Sequence, residues 1–219
     1  MKSVNTKLRT ILPIVWNKKP VSSAESGMEI LNDGRISYWI KHQHLTNITP
    51  KMLAWWFQNL EGDIEHQGQI FNRYHVWHPE DHVHNSYVKR RNDGSVGPGA
   101  IIRIVEYFGR NLKYQVNVET DIEKLDETGF IHNPRYLGIL PIARMEYVFE
   151  AKGNGTQYNN RLIIGWRHWS WKIFRPLIVK FFFDSKHGEA WIKHNIEEVG
   201  QFEDFLPALY FKENKNTSK

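Results

Sequence analysis

The chain contains no cysteine, which excludes disulfides and any thiolate metal site and makes a reducing, cytoplasmic setting the expectation. It also lacks a long apolar run. Its most hydrophobic segment, "WSWKIFRPLIVKFFFD", is broken by Lys172, Arg175, Pro176 and Lys180, and it falls short of the ~20 apolar residues that span a bilayer. The apolar stretch at 11–16 is too short for a signal-peptide core, and no small-residue cleavage site follows it. A concentrated basic tract is missing too. The net charge is +5, but apart from "VKRRN" and the tail "KENKNTSK" the cations are dispersed. No glycine-rich basic run accompanies them, so neither nucleic acid nor membrane is expected as a partner.

What is present is a globular composition. The 219 residues are 41% hydrophobic and include nine tryptophans, enough for one substantial core. Residues 1–44 read as an N-terminal extension, with "RISYWI" alternating like a strand inside it. Thr49 followed by Pro50 is a helix start, an N-cap residue with proline in the first turn, and Gly62 is the expected stop. From about residue 68 the pattern turns to period two. "IFNRYHVW", "AIIRIVEYF", "LKYQVNVE", "RMEYVFEA" and "NRLIIGW" are separated by turn clusters such as "NDGSVGPG", which predicts an antiparallel meander. Helical period returns over about 188–205. A short helix, a run of strands and a long last helix predict an α+β, helix-grip fold over residues 45–219, with a cavity between sheet and helix.

Two acids stand out by their faces. On the last helix, Trp191, Ile192, Ile196, Val199, Phe202 and Leu206 share one arc at about 100° per residue. Glu197, Gln201 and Asp204 fall on the opposite side and are expected in solvent. His194 and Glu198 are spaced i,i+4 at the edge of the apolar arc, so they cover one patch of surface. They form either half of a metal site or a plain His–Glu hydrogen bond under the core rim. In "GAIIRIVEYFG", Glu106 shares a strand face with Ile102, Ile104 and Phe108. Glu119 sits on a polar row instead. An inward carboxylate is costly unless paired or bound to a cation, unless Glu106 turns outward at a strand end. The stretch "YHVWHPEDHVHN" adds four histidines, of which His82 is the candidate ligand and His78 a candidate partner for Glu106. Nitrogen and oxygen ligands without thiolate suit Zn²⁺, with Mn²⁺, Fe²⁺ and Co²⁺ as alternatives. The other histidines are expected at the surface or at strand edges.

Three motifs in order, "ITPKMLAWWFQNLEG", "YHVWHPEDH" and "HNIEEVGQFEDFLP", resemble the diacetylphloroglucinol hydrolase family, over roughly residues 45–210. The resemblance implies a Bet v 1/START-like helix-grip catalytic domain with one zinc ion per chain. It also implies hydrolysis of a carbon–carbon bond that releases a carboxylic acid from an acylated phenol or related polyketide-like ketone. Carried over by motif, the metal ligands fall on His82, Glu106, His194 and Glu198, and the substrate-contacting residues on Tyr74 and Asn85. The family has a further histidine and tyrosine in its middle strands. The region 141–166 holds no histidine, and Tyr147 stands about where one is expected. The competing reading is a non-catalytic protein that carries a small apolar or aromatic ligand in the same cavity. A homodimer stays open.

Overall fold

In the computed structural model, which describes residues 6–136, 138–181 and 183–216, the period-two stretches form one ten-stranded antiparallel sheet. Its first strands come from the N-terminal part. These are β1 (Glu25–Ile30), β2 (Ile36–Lys41) and β3 (Leu45–Thr46). Helix α1 (Pro50–Gln58) follows, then a separate hairpin, β4 (Asp63–His66) and β5 (Gln69–Asn72), and the short α2 (Arg73–Trp77). The sheet resumes with β6 (His82–Lys89), β7 (Ile101–Tyr107), β8 (Gln115–Asp126), β9 (Gly129–Tyr136), β10 (Leu140–Pro141), β11 (Ala143–Lys152) and β12 (Gly155–Ile164). Helices α3 (Ser170–Phe181) and α4 (Ser185–Asn216) close the described chain.

The spatial order is β1-β2-β12-β11-β9-β8-β7-β6, with β3 on β12 and β10 on β9. The part expected as an extension therefore contributes strands to the main sheet. Ile36 to Lys41 pair in register with Ile164 to Asn159 on one side and with β1 on the other. The α1 start is as the sequence predicts: the Thr49 side chain accepts from Met52 N at 3.2 Å. Its end comes earlier than Gly62, at Asn59, whose side chain donates back to Trp55 O. The expected strand "IFNRYHVW" is divided. Asn72 accepts from His75 N, an N-cap that turns 73–77 into a helix.

Helix α4 lays Trp191, Ile196, Val199, Phe202, Phe205, Leu206 and Leu209 against the sheet and α1, all buried. This is the helix-grip architecture. Its outer side is not all solvent: Gln201 is fully buried, while Asp204 is exposed. The cause is residues 6–20, which strap the helix. Trp16 stacks on Phe205 with ring centroids 5.9 Å apart and donates to Val76 O. Lys19 reaches Glu203 at 2.6 Å, and its side chain lies where a Cβ on Gly200 would be, 2.8 Å from Lys19 Cγ. Glycine at 200 is what lets the strap lie that close. Arg9 donates to His82 O and His78 O, so the strap also pins the histidine loop.

Candidate metal centre and cavity

Four side chains from three elements converge on one point. His82 opens β6 and is directly opposite Glu106 in the β6–β7 register, with a register shift just after it. Such a bulge re-aims side chains. His194 and Glu198 come from one turn of α4. His82 Nε2 lies 3.5 Å from Glu106 Oε1 and 3.4 Å from Glu198 Oε2. His194 Nε2 lies 3.8 Å from Glu106 Oε2 and 3.6 Å from Glu198 Oε2. The ligand atoms of His82, His194 and Glu198 are all within 4.8 Å of one another. The structure thus brings together all four side chains singled out in the sequence.

Protons decide what this cluster can hold. His82 Nδ1 sits 2.8 Å from Tyr74 O, and a carbonyl only accepts, so Nδ1 carries the hydrogen. Nε2 is then a bare lone pair, buried and without a hydrogen-bond partner, facing two carboxylates. His194 Nδ1 donates to Asp81 Oδ2 at 3.0 Å, which aims its Nε2 at the same point. Lone pairs and carboxylates facing one another call for a cation at their centre. A tetrahedral ion with bonds of about 2.0–2.1 Å has ligand–ligand edges of roughly 3.3–3.4 Å. The separations of 3.4–3.8 Å are within a few tenths of that. The residues fit the group.

Without a cation, the cluster is a strained electrostatic arrangement. Burial is the main force raising the Glu198 carboxyl to about 8; the His194 charge works against it, and Glu106 and Asp81 add to it. Burial likewise raises Glu106, against His194 and the Tyr74 hydrogen bond. Burial opposes a charge on His194, but the Asp81 hydrogen bond and the Glu198 and Glu106 charges outweigh it and lift its pKa to about 9. Burial, then His194 and His78, hold His82 well below its ordinary range, so it stays neutral.

This has a measurable consequence. His194 goes from 6.5 to about 9 and Glu198 from 4.5 to about 8, so the folded metal-free chain holds these protons more tightly than the unfolded chain. The stability they contribute is complete at low pH and is lost as pH rises through the folded values. The metal-free melting temperature should fall by roughly 5 °C or more between pH 6.5 and 9. Zinc, which binds the deprotonated ligands, should remove that fall. A metal-free melting temperature that is flat across this window would contradict the proton assignment.

Glu106, His194 and Glu198 line a cavity of about 350 Å³ between sheet and helix. Apolar side chains dominate its walls, among them Phe57, Ile102, Phe130, Met145, Leu162 and Trp191. Tyr74 is in the wall, buried, with its hydroxyl donating to Glu106 Oε1. Tyr147 is there too. Burial, with the neighbouring Glu106 and Glu198 charges, holds both phenols protonated. Asn85 is placed differently: it pairs with Ile104 in the β6–β7 register but is not in the cavity wall, and both its side-chain amide atoms are buried without partners.

Sequence reasoning missed three residues. His132, expected at a strand edge, is buried in the cavity wall and stacks on Tyr147 at 5.7 Å. Its Nδ1 is 2.7 Å from Thr120 Oγ1, and burial lowers its pKa to about 3. β9 thus places a histidine in the cavity wall, outside 141–166. Its sequence signal was the alternation of Phe130 with His132. Asp81 is the second. It accepts from Gly109 N at 2.8 Å, Arg110 N at 3.1 Å and His194 Nδ1. The third is Glu197, expected in solvent but only 14% exposed, with Oε2 3.4 Å from His78 Nε2. His78 stacks on His194 at 4.6 Å, and its Nδ1 accepts from Asp81 N, so its partners are Asp81, Glu197 and His194 rather than Glu106. His42 and His187 are also buried, against the expectation of surface histidines. His42 holds Asn160, which donates to Asn195 of α4.

Several solved structures resemble the chain. Protein Ms6760 from Mycobacterium smegmatis is 10% identical, with a TM-score of 0.49, over 84% of this chain and 98% of its own. CalU16 from Micromonospora echinospora is 12% identical, with a TM-score of 0.39, over 81% and 96%. Ara h 8.0201 is 12% identical, with a TM-score of 0.38, over 73% and 97%. Among curated proteins none matches. The DAPG hydrolase PhiG domain, in contrast, matches residues 15–119. That span includes the end of the strap, α1, the histidine loop, and the strands that carry His82 and Glu106, and stops short of α4. That match makes this part of the chain similar to the DAPG hydrolase family.

Proposed function

We propose that the protein is a zinc-dependent hydrolase that cleaves the carbon–carbon bond between an acyl group and a phenolic ring and releases a carboxylic acid. The match to the DAPG hydrolase domain supports a hydrolase of phloroglucinol-type substrates. The observation that carries the finer reading is the cluster of His82, Glu106, His194 and Glu198, with two imidazole lone pairs and two carboxylates aimed at one point on the wall of an apolar cavity.

A zinc ion held by these four side chains would supply Lewis acidity at the acyl oxygen and lower the pKa of water toward neutrality. The apolar walls would stack the aromatic ring and exclude bulk water. Cleavage needs a proton on the ring carbon that carries the acyl group. Water then adds to the acyl carbonyl, and the ring–acyl bond breaks with its electron pair passing into the ring as an enol. The Tyr74 proton is committed to Glu106. Tyr147, protonated and in the cavity wall beside His132, is the group placed to donate a proton. His132 is neutral at any working pH, so its role is to orient a phenol oxygen, with Thr120 holding the ring.

The test is elemental analysis of the purified chain, followed by incubation of the zinc-loaded protein with acylated phloroglucinols. About one zinc per chain is expected, with acid and deacylated phenol released in equal amounts. Stoichiometric zinc without acid release from any acylated phenol would overturn the reaction. No zinc, together with tight binding of intact phenols, would make the cavity a ligand-carrying site only, the reading its apolar walls favour on their own.

A further inference from the structure

Helix α3 is apolar on two opposite faces, and among the described residues only one of them has a partner. The aromatic and basic segment 166–176 reads in the sequence, with a lid or a membrane-surface contact as alternatives, as packing between the sheet and the last helix. Trp171 does this: it is 1% exposed, and its indole donates to Gly34 O at 2.9 Å. On the other side, Trp169, Ile173 and Leu177 follow one another at i, i+4 and i+8, and are 68%, 60% and 55% exposed. Phe174 extends this row. Ile139 and Leu140 are exposed nearby, since Ile142, at the end of their turn, accepts from Gly165 N just before the helix.

Along the chain, the charge around the row has one sign. No aspartate or glutamate occurs between Glu150 and Asp184, whereas six lysines and arginines do. Arg167 and Lys172 are exposed beside the row. Asp33, which another element brings near Arg167, is already paired with Arg35 at 2.8 Å. An exposed apolar row that begins with tryptophan and lies in a segment whose own charges are all positive has the chemistry of an interfacial helix. A second copy of the chain is a poorer occupant. A two-fold contact through this face would set like cations against each other. Beyond α3 the chain runs directly into the cavity wall through Phe183 and His187.

We propose that α3 docks on an anionic lipid bilayer, with Trp169, Ile173 and Leu177 at headgroup depth and Arg167 and Lys172 against the lipid phosphates. The contact is peripheral. No helix among the described residues is long and apolar enough to cross a membrane. Docking in this way places the cavity wall at the bilayer surface, where apolar compounds concentrate. The inference stands on the surface alone and does not depend on the hydrolase reading.

Co-sedimentation of the full chain with vesicles tests it. Phosphatidylglycerol mixed into phosphatidylcholine should bind the protein at least about tenfold more tightly than phosphatidylcholine alone, and added salt should weaken the binding. The variant Trp169→Ser/Ile173→Ser/Leu177→Ser should lose it. The variant Arg167→Glu/Lys172→Glu, which changes exposed groups only, should lose the preference for anionic vesicles, and it decides the matter if the apolar variant fails to fold. Equal affinity for both vesicles, or wild-type binding by the charge variant, would overturn the proposal. So would a dimer that the serine variant dissolves, with no vesicle binding, since the row would then belong to a second copy.

Discussion

Replacing His194 with alanine should leave the protein folded and free of zinc after dialysis, with hydrolysis at background. His194 is 2% exposed and supplies the only donor that Asp81 has from α4. Its loss removes one of the four converging side chains and a link between the helix and the loop. The remaining His82, Glu106 and Glu198 come from three elements, with two carboxylates for one imidazole. Glu198→Ala should behave in the same way, because Glu198 lies within 3.4–3.6 Å of both imidazoles. The adjacent acid is the control. Glu197 faces His78 on the far side of the His194 ring, so Glu197→Ala should keep zinc and lose about 1 kcal/mol of stability from the broken contact with a buried histidine. Elemental analysis of the three variants decides the matter: full zinc in both His194→Ala and Glu198→Ala would sink the site. Loss of zinc in Glu197→Ala to the same degree would move it toward His78, Asp81 and His194, a second group whose ligand atoms also lie within 4.8 Å of one another.

How much of this was legible in the sequence follows from how local each signal is. The i,i+4 pair on α4 and the alternation that turns Glu106 inward are one-element signals, and both hold in three dimensions. The same alternation puts Glu119 on the other row, where it pairs with Arg103 across the strands. The errors arise where a second element intervenes. Helical periodicity puts Gln201 and Glu197 in water because it does not foresee a strap of residues 6–20 over that face. The histidine loop reads as strand because "IFNRYHVW" alternates, yet Asn72 caps a helix there. His132 escaped because "GFIHNPRY" contains a proline, which marks a strand edge or a break rather than a strand paired on both sides. In the sheet, Pro134 lies opposite Thr120 on a strand that is paired on both sides. Asp81 looks like one acid of an exposed "PED" turn, and its value as a hydrogen-bond hub depends on Gly109 and His194, which are remote in the chain.

Asp81 carries the other large effect. Its carboxylate is 1% exposed and accepts three hydrogen bonds, from Gly109 N, Arg110 N and His194 Nδ1. Burial works against its charge, but the bond to His194 wins and holds its pKa at about 2. The ionised group therefore keeps a proton on His194 Nδ1, so that Nε2, facing Glu106 and Glu198, is the nitrogen that gives up its proton when a cation binds. Asp81→Asn cannot serve all three donors. Its single amide oxygen can replace Oδ2 only if its NH₂ meets the Arg110 N–H. In the flipped orientation the NH₂ faces His194 and favours the tautomer with its hydrogen on Nε2, pointed at the metal. Zinc affinity, read by competition with a chelating dye, should fall by about 10–100-fold, while far-UV circular dichroism stays unchanged. In the metal-free protein, the His194 pKa should drop from about 9 toward or below the free imidazole value, because burial remains and its strongest support is gone; NMR titration of the imidazole reads this directly. A purely structural role for Asp81 would lower the melting temperature and leave both the zinc affinity and that titration where they are. Unchanged zinc affinity in a folded Asp81→Asn protein would show that His194 is aimed by its packing against His78 and Phe108, and not by the carboxylate.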